Sequence, residues 1–380
     1  ATSSAAASSS AAPPAAEARA STEVRQSTAT RLAAAAANPQ LAKTLDASSS
    51  LADNYSLLGV LGKGSYGEVR LAIHKLTKKR VAVKTLTRAK LTDAKLRRRA
   101  EAEVKVHKLL RHAHIARLFE VISSQASINL CMQHAAGGTL RELLDQHGAL
   151  PEARARRYLR QICGALHYCH EVVHVVHRDI KLDNMLLDAD DNVLLADFGF
   201  AEVVGPNKRK LRLLCGSPHY SAPEIFAQQE YVGSQADMWS LGVLAYTLLA
   251  GHFPFQADTM DALGKKVRHG RWDRPLPSSA ASSELVAKIL VVRASQRATL
   301  AAVCGHRWML DGAAAAADVI PFEGEPAARW DDAAAAELDA MGCSAALVRH
   351  HVQAGAHNHV TAAFDILVAA GASGGGGQIA

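Results

Sequence analysis

The stretch from His177 to Gly199 constrains this chain more than any other. It reads His-Arg-Asp-Ile-Lys-Leu-Asp-Asn over 177–184, then an apolar run, then Asp197-Phe198-Gly199. The apolar residues between the two polar clusters predict two short strands. A hairpin of that kind carries Asp179, Asn184 and Asp197 to one end of a rigid element. Carboxylate and amide oxygens are what Mg²⁺ prefers, and it usually takes only one or two protein carboxylates beside substrate phosphates. A further carboxylate, off the metal, is left to orient a hydroxyl. The stretch points to phosphoryl transfer from a Mg-nucleotide, and it requires a phosphate cradle and a lysine elsewhere in the chain.

Candidates for both lie upstream. An apolar run from Tyr55 to Leu61 leads into Gly62-Lys63-Gly64-Ser65-Tyr66-Gly67-Glu68-Val69, a G-x-G-x-x-G-x-V pattern. Glycines let a backbone bend tightly and approach phosphates. Alone the pattern is also that of a plain tight turn, or of a dinucleotide-binding turn, which leads directly into a helix. Here Val69, Leu71 and Ile73 alternate, which predicts a second strand and a hairpin lid over phosphates. The next alternating run, 80–86, puts Val81 and Val83 on one face and Ala82 with Lys84 on the other. A small residue beside a lysine suits a flat base with a phosphate beyond it. Residues 92–111 predict a helix in which Glu101 and Glu103 are candidates to pair Lys84. Strands are expected over 118–122 and 127–132, and the break at 134–138 is that of a hinge between lobes.

Beyond Leu140 the pattern is mostly helical. A long helix is expected over 153–174, with Leu159, Ile162, Leu166 and Val173 near helical spacing. Asp237 opens a helix that is apolar nearly all round to Leu249, as a buried core helix is. Residues 1–53, rich in Ala, Ser, Thr and Pro, predict a disordered tail, because too little apolar surface is available to offset the entropy of ordering. Ala33–Ala37 is the helix-forming stretch within it. Its Ser, Arg and Ala content also allows an organelle transit peptide, against which Glu17, Glu23 and Asp46 count. Residues 310–331 predict a linker, 332–371 three short helices broken at Gly342 and Gly355, and 372–380 a flexible Gly-rich tail.

The net charge is +7, but the basic residues are scattered in short runs that suit solvated faces better than a nucleic-acid or membrane site. The six cysteines form no CxxC pair, which fits reduced thiols in the cytosol or nucleus. The longest strongly apolar stretch, Leu241 to Ala250, is too short to span a bilayer. The histidines at 167, 170, 174 and 177, and those at 350, 351, 357 and 359, show no closed zinc spacing and are expected in packing or at the surface. A cytoplasmic monomer is expected, with the nucleus also open, and with no nucleic-acid partner and no integral membrane segment.

Taken together, the G-x-G-x-x-G-x-V loop, Val81-Ala82-Val83-Lys84, His177-Arg178-Asp179 with Asn184, Asp197-Phe198-Gly199 and Ala222-Pro223-Glu224 stand in the order of a eukaryotic-type protein kinase, which residues 55–309 resemble. The details Cys215-Gly216-Ser217-Pro218-His219-Tyr220 and Arg111-His112-Ala113-His114-Ile115 further resemble the AMP-activated-kinase-related branch, which sits near the calcium/calmodulin-dependent kinases and includes the microtubule-affinity-regulating and brain-selective kinases. The three terminal helices, with Met341-Gly342-Cys343, look like a ubiquitin-associated module. The implied fold is α+β and two-lobed, a small mainly β N-lobe and a larger mainly α C-lobe, followed by that three-helix module.

The resemblance implies ATP and Mg²⁺ as cofactors, and protein substrates with Ser or Thr acceptors. Leu61, Gly62, Lys63, Gly64, Ser65, Tyr66 and Gly67 would form the lid over the nucleotide. Val69, Ala82 and Leu186 would sandwich the adenine, with Gln133 and Ala135, just past Met132, offering backbone hydrogen bonds. Lys84 would hold the phosphates and pair with Glu103, preferred to Glu101 by its spacing to the Arg111-His112 run. Asn184 and Asp197 would bind Mg²⁺, Asp179 would orient the substrate hydroxyl and Lys181 would stabilise the transferring group. Glu224 would pair with Arg297, and Asp237 would brace the catalytic loop.

The chain also departs from the family. Leu213 stands where the branch carries an activating threonine whose phosphate Arg178 would grip. Ser217 remains, and is expected to touch Asp179 and Lys181, so that modifying it would inhibit. His107 stands where Leu or Met would pack on Phe198, and Thr139 replaces a common Glu, leaving Glu142 and Asp183 to attract a basic residue upstream of the acceptor. The leading expectation is an active Ser/Thr kinase regulated by its terminal module. The alternative is a weakly active pseudokinase scaffold. The module would either clamp the catalytic domain from behind or bind ubiquitin.

Overall fold

The computed structural model describes residues 50–64, 67–213, 215–272, 276–312, 330–356 and 358–372. Ser65, Tyr66, Leu214, His357, the Ala33–Ala37 stretch, most of the linker and the Gly-rich tail lie outside these residues. The stretch expected to be a tail through residue 53 ends instead in a helical turn, α1 (Leu51–Asn54), closed by a capping box between Ser50 and Asp53. Asn54 is buried there against His359 of the chain's far end, a partner that local composition cannot reveal.

Strands β1 (Tyr55–Gly64), β2 (Gly67–His74), β3 (Arg80–Thr87), β4 (Leu118–Ser123) and β5 (Ser127–Gln133) form an antiparallel sheet in the order β1-β2-β3-β5-β4. The alternation read in β3 separates its two faces. Val81 and Val83 are fully buried with Tyr55, Phe119 and Cys131 on one side, whereas Ala82 and Lys84 turn to the other. Helix α2 (Ala94–His107) is shorter than the expected 92–111. Asp93 caps its start by accepting the Leu96 N–H at 2.8 Å. At its end the Arg111 N–H goes to the Tyr168 hydroxyl at 3.1 Å, a tertiary partner in place of a helical one.

The larger lobe begins with α3 (Leu140–His147) and α4 (Glu152–His167). The helix expected to reach 174 widens at Tyr168–Val172 into a π turn, and His174 follows at φ +53°. Such turns often mark functional positions, and this one contains His170, which bonds Asp237 at 2.8 Å. Two short hairpins follow: β6 (Val175–Val176) pairs with β9 (Glu202–Val203), and β7 (Met185–Leu187) with β8 (Val193–Leu195). After α5 (Pro223–Phe226) comes α6 (Gly233–Ala250), whose Trp239, Leu241, Val243, Leu244 and Leu248 are all fully buried. Its all-round burial matches its all-round apolarity. Helices α7 (Met260–His269), α8 (Ala280–Ile289), α9 (Leu300–Cys304) and α10 (Arg307–Leu310) complete the lobe around it.

Three further helices, α11 (Asp332–Ala340), α12 (Ala345–Gln353) and α13 (His359–Ala372), share a core built on Leu338, Val348 and Phe364. The other side of α13 lays Ala362 and Ile366 on the Val81/Val83 face of the sheet. Asp365 pairs there with Arg111 at 3.3 Å and with Arg117 at 2.9 Å. Glu120 of β4 accepts the Tyr55 hydroxyl and pairs with His359. The sheet is thus covered on the face away from Lys84 by the end of the chain.

Candidate active site

The β7–β8 hairpin brings its flanking loops side by side, as the spacing predicts. The Ala196 N–H donates to the Asn184 carbonyl at 2.9 Å, and the His177 ring bonds the Ala196 carbonyl at 3.1 Å. Behind them the buried Asp237 accepts the backbone N–H groups of His177 and Arg178 at 2.9 and 2.8 Å. Burial pushes its carboxyl upward, but His170 and the other donors outweigh that and hold it below the usual carboxylate range. The bracing role of Asp237 was legible in sequence, whereas that of His170 depends on the π turn and was not.

Asp179 is 3 % exposed at its side chain and held from three directions. Ser217 Oγ donates to its Oδ1 at 3.0 Å, Lys181 Nζ lies 2.8 Å from Oδ2, and the Asn184 amide donates to Oδ2 at 3.1 Å. Lys181 also donates to Ser217 Oγ at 3.1 Å, so Ser217 touches both residues as expected. Asn184 turns its NH₂ group to Asp179, donating to the carbonyl at 2.8 Å as well as to the carboxylate.

Lys84 reaches across from β3. Its Nζ is 2.6 Å from Glu103 Oε1 on α2 and 2.8 Å from Asp197 Oδ1. Glu103, not Glu101, is therefore the partner, since Glu101 is exposed. Burial opposes the lysine charge, but the two carboxylates more than offset it and raise its pKa. For Asp197, burial acts upward and the Lys84 ammonium downward, and the result is a carboxyl near 2. Glu103, more enclosed, is raised by burial despite the same lysine. Asp197 adopts φ +61°, a strained conformation for a residue with a side chain, and its side chain stays 44 % exposed. Phe198 beside it is buried between His177 at 4.9 Å and His107 at 5.3 Å between ring centroids. The His107 ring donates to the Ala116 carbonyl at 2.7 Å, and burial pushes its pKa down to about 4, so the ring is neutral.

These groups fit a Mg-nucleotide. The side-chain oxygen of Asn184 and the second oxygen of Asp197 are hard donors in the small number that Mg²⁺ takes from protein. Val69 pairs with Lys84, and Ala82 with Met132, across the sheet, while Leu186 bridges to Thr139 from the other lobe. The Gln133 N–H goes to the Arg117 carbonyl at 2.8 Å. Among the described residues the backbone N–H and C=O of Ala135 take no partner, which leaves them to a ligand. Above the sheet Leu61 and Lys63 are exposed, and a Cβ on Gly62 would meet nothing within 4 Å. At Gly67 a Cβ would lie 1.6 Å from the Thr85 carbonyl oxygen, so only glycine lets β2 and β3 approach so closely there. The sequence pattern missed Glu202, which pairs with Arg178 at 2.9 Å.

The family described as protein kinase domain matches residues 55–309. The chain is 37 % identical over 282 residues to a serine/threonine-protein kinase SIK3 homolog of Danio rerio, covering 74 % of this chain and 23 % of that protein. It is 40 % identical over 255 residues to the serine/threonine protein kinase OSK3 of Oryza sativa subsp. indica, covering 67 % of this chain and 50 % of the relative. OSK4 of the same plant matches to the same extent. The alignment thus reaches half or less of the length of these relatives.

Proposed function

The chain belongs to the protein kinase family, and from that premise we propose that it transfers the γ-phosphoryl group of ATP to serine and threonine hydroxyls of protein substrates. One observation carries this reading: Lys84 is engaged by Glu103 and Asp197 at once, while Asp179 stands beside Lys181 on the facing loop. The closed Lys84–Glu103 pair is the arrangement that phosphoryl transfer in this family needs.

Little covalent work falls to the protein. Lys84 holds the phosphates in register, and Asp179 orients the acceptor hydroxyl and takes its proton. Lys181 balances the charge that grows on the transferring group. Asp197 and Asn184 would hold Mg²⁺, which when bound neutralises phosphate charge. Acceptor choice points to a basic residue upstream. Asp183 is exposed and free to receive it, whereas the Glu142 carboxylate accepts the Thr139 N–H at 2.9 Å in the cap of α3. The Ala362/Ile366 contact and the Asp365 ion pairs support a terminal module that acts on the catalytic lobes from behind. Its likeness to ubiquitin-associated modules makes ubiquitin the rival ligand. We place the chain in the cytoplasm, as a monomer.

The test is phosphate incorporation from Mg-ATP into Ser/Thr peptides with and without an upstream arginine, beside Asp197→Ala. Incorporation by the wild type alone, greater with arginine, is expected. Equal incorporation by both proteins would remove the enzyme and leave a scaffold. Deleting residues 332–380 is expected to change the rate, and an unchanged rate would dissociate the module from catalysis.

A further inference from the structure

Arg178 precedes Asp179 in the left-handed conformation, φ +66°, with its side chain 6 % exposed. A guanidinium so enclosed is costly unless an anion faces it. Between Gly199 and Ser217 the sequence contains no serine, threonine or tyrosine. No hydroxyl in that segment can carry a phosphate ester to Arg178. Leu213, in this segment, offers Tyr231 only a backbone carbonyl, at 2.9 Å from its hydroxyl.

The anion is already in the chain. Arg178 Nη2 lies 2.9 Å from Glu202 Oε2, and Nε donates to the Phe200 carbonyl at 2.7 Å. The third nitrogen, Nη1, is buried and among the described residues has no hydrogen-bond partner, so Glu202 is the carboxylate paired with this guanidinium there. The other oxygen of Glu202 pairs with Arg209, farther along the segment. The Phe200 ring carries the Arg99 guanidinium of α2 at 4.0 Å. One carboxylate therefore ties the catalytic loop to the segment's basic stretch, and Phe200, two residues before it, ties that assembly to the helix that bears Glu103. Two further cations of the segment are paired as well, Lys208 with Glu171 at 2.8 Å and Arg212 with Glu230 at 2.5 Å.

We propose that Glu202 is a positioning residue that holds the segment between Gly199 and Ser217 in its working form, and that transfer by this chain needs no activating phosphorylation. The proposal rests on the kinase reading above. It acts through Arg178, whose backbone N–H Asp237 fixes directly beside Asp179.

The full chain, treated with a protein phosphatase and shown by intact mass to be free of phosphate, is compared with the untreated protein and with Glu202→Gln and Glu202→Asp. Treatment is expected to leave kcat/KM within about twofold. Glu202→Gln is expected to lower kcat about tenfold or more at nearly unchanged Mg-ATP affinity, with much of the loss restored in Glu202→Asp. Hydrogen exchange of the 203–213 amides is expected to quicken in Glu202→Gln and not in Glu202→Asp. Loss of activity on phosphatase treatment overturns the proposal. So does wild-type kcat in Glu202→Gln, or loss of Mg-ATP binding in both variants alike, which would mark a general folding role. Exchange reads the ordering without any transfer. Unchanged exchange in Glu202→Gln refutes the proposal even if the wild type proves inactive, whereas wild-type incorporation no greater than that of Asp197→Ala refutes the kinase reading alone.

Discussion

His107 shows how one side chain sets a pH limit on the fold. It is buried and packs on Phe198, and burial moves its pKa from 6.5 to about 4. Below pH 6.5 the unfolded chain takes up a proton that the folded chain refuses until about pH 4. Stability from this group is complete above 6.5 and is lost as pH falls toward 4, by on the order of 3 kcal/mol. His74, lowered to about 4, and His112, lowered to about 3, act in the same direction, burial being the main cause in each. His107→Leu is therefore expected to reduce, not abolish, the loss of melting temperature between about pH 7 and pH 5. An unreduced loss would show that the ring is not held neutral. The identity of this residue was plain in sequence; its charge state followed only from its burial, which outweighs the Ala116 carbonyl that favours the charged ring.

At the scale of elements, the joint between α5, α6 and the loop before α9 is closed by Arg297. Its side chain is 1 % exposed and grips Glu224 with two parallel bonds of 3.0 and 3.1 Å. It also donates to the Gln235 and Val291 carbonyls and lies over Trp239. Arg297→Ala leaves a carboxylate in a nearly dry site and is expected to cost about 3–5 kcal/mol in urea unfolding. Arg297→Lys should recover little, because an ammonium cannot make the two-pronged contact; full recovery would mean that charge alone matters at the joint. The pairing was expected from the family pattern. The π turn after α4 and the early end of α2 were not, because each involves a distant residue, Asp237 holding the His170 ring and the Tyr168 hydroxyl taking the Arg111 N–H.

Across the whole molecule, the terminal helices and the five-stranded sheet share a buried seam. Asp365 anchors it with Arg111 and Arg117, at a side-chain exposure of 7 %. Asp365→Ala is expected to destabilise the seam by about 2 kcal/mol, seen as a lower melting temperature and faster hydrogen exchange in β4. An unchanged exchange pattern would mean that the apolar contact of Ala362 and Ile366 holds the helix unaided. Nothing in residues 332–371 alone names the surface they cover, since an apolar stripe on a helix states only that something must bury it.

By itself the sequence determined the strands of the first lobe, the buried helix α6 and the candidate site residues from Lys84 to Asp197. These depend on periodicity, on glycine and on side-chain chemistry, all of which are local properties. Tertiary structure alone decided where the terminal helices dock, why Leu51–Asn54 orders, which way His170 turns, and that Arg178 meets Glu202. Each of those is a choice among partners far apart in the chain. Such a choice is settled by which buried charge or apolar face is left to be satisfied once the local elements have formed.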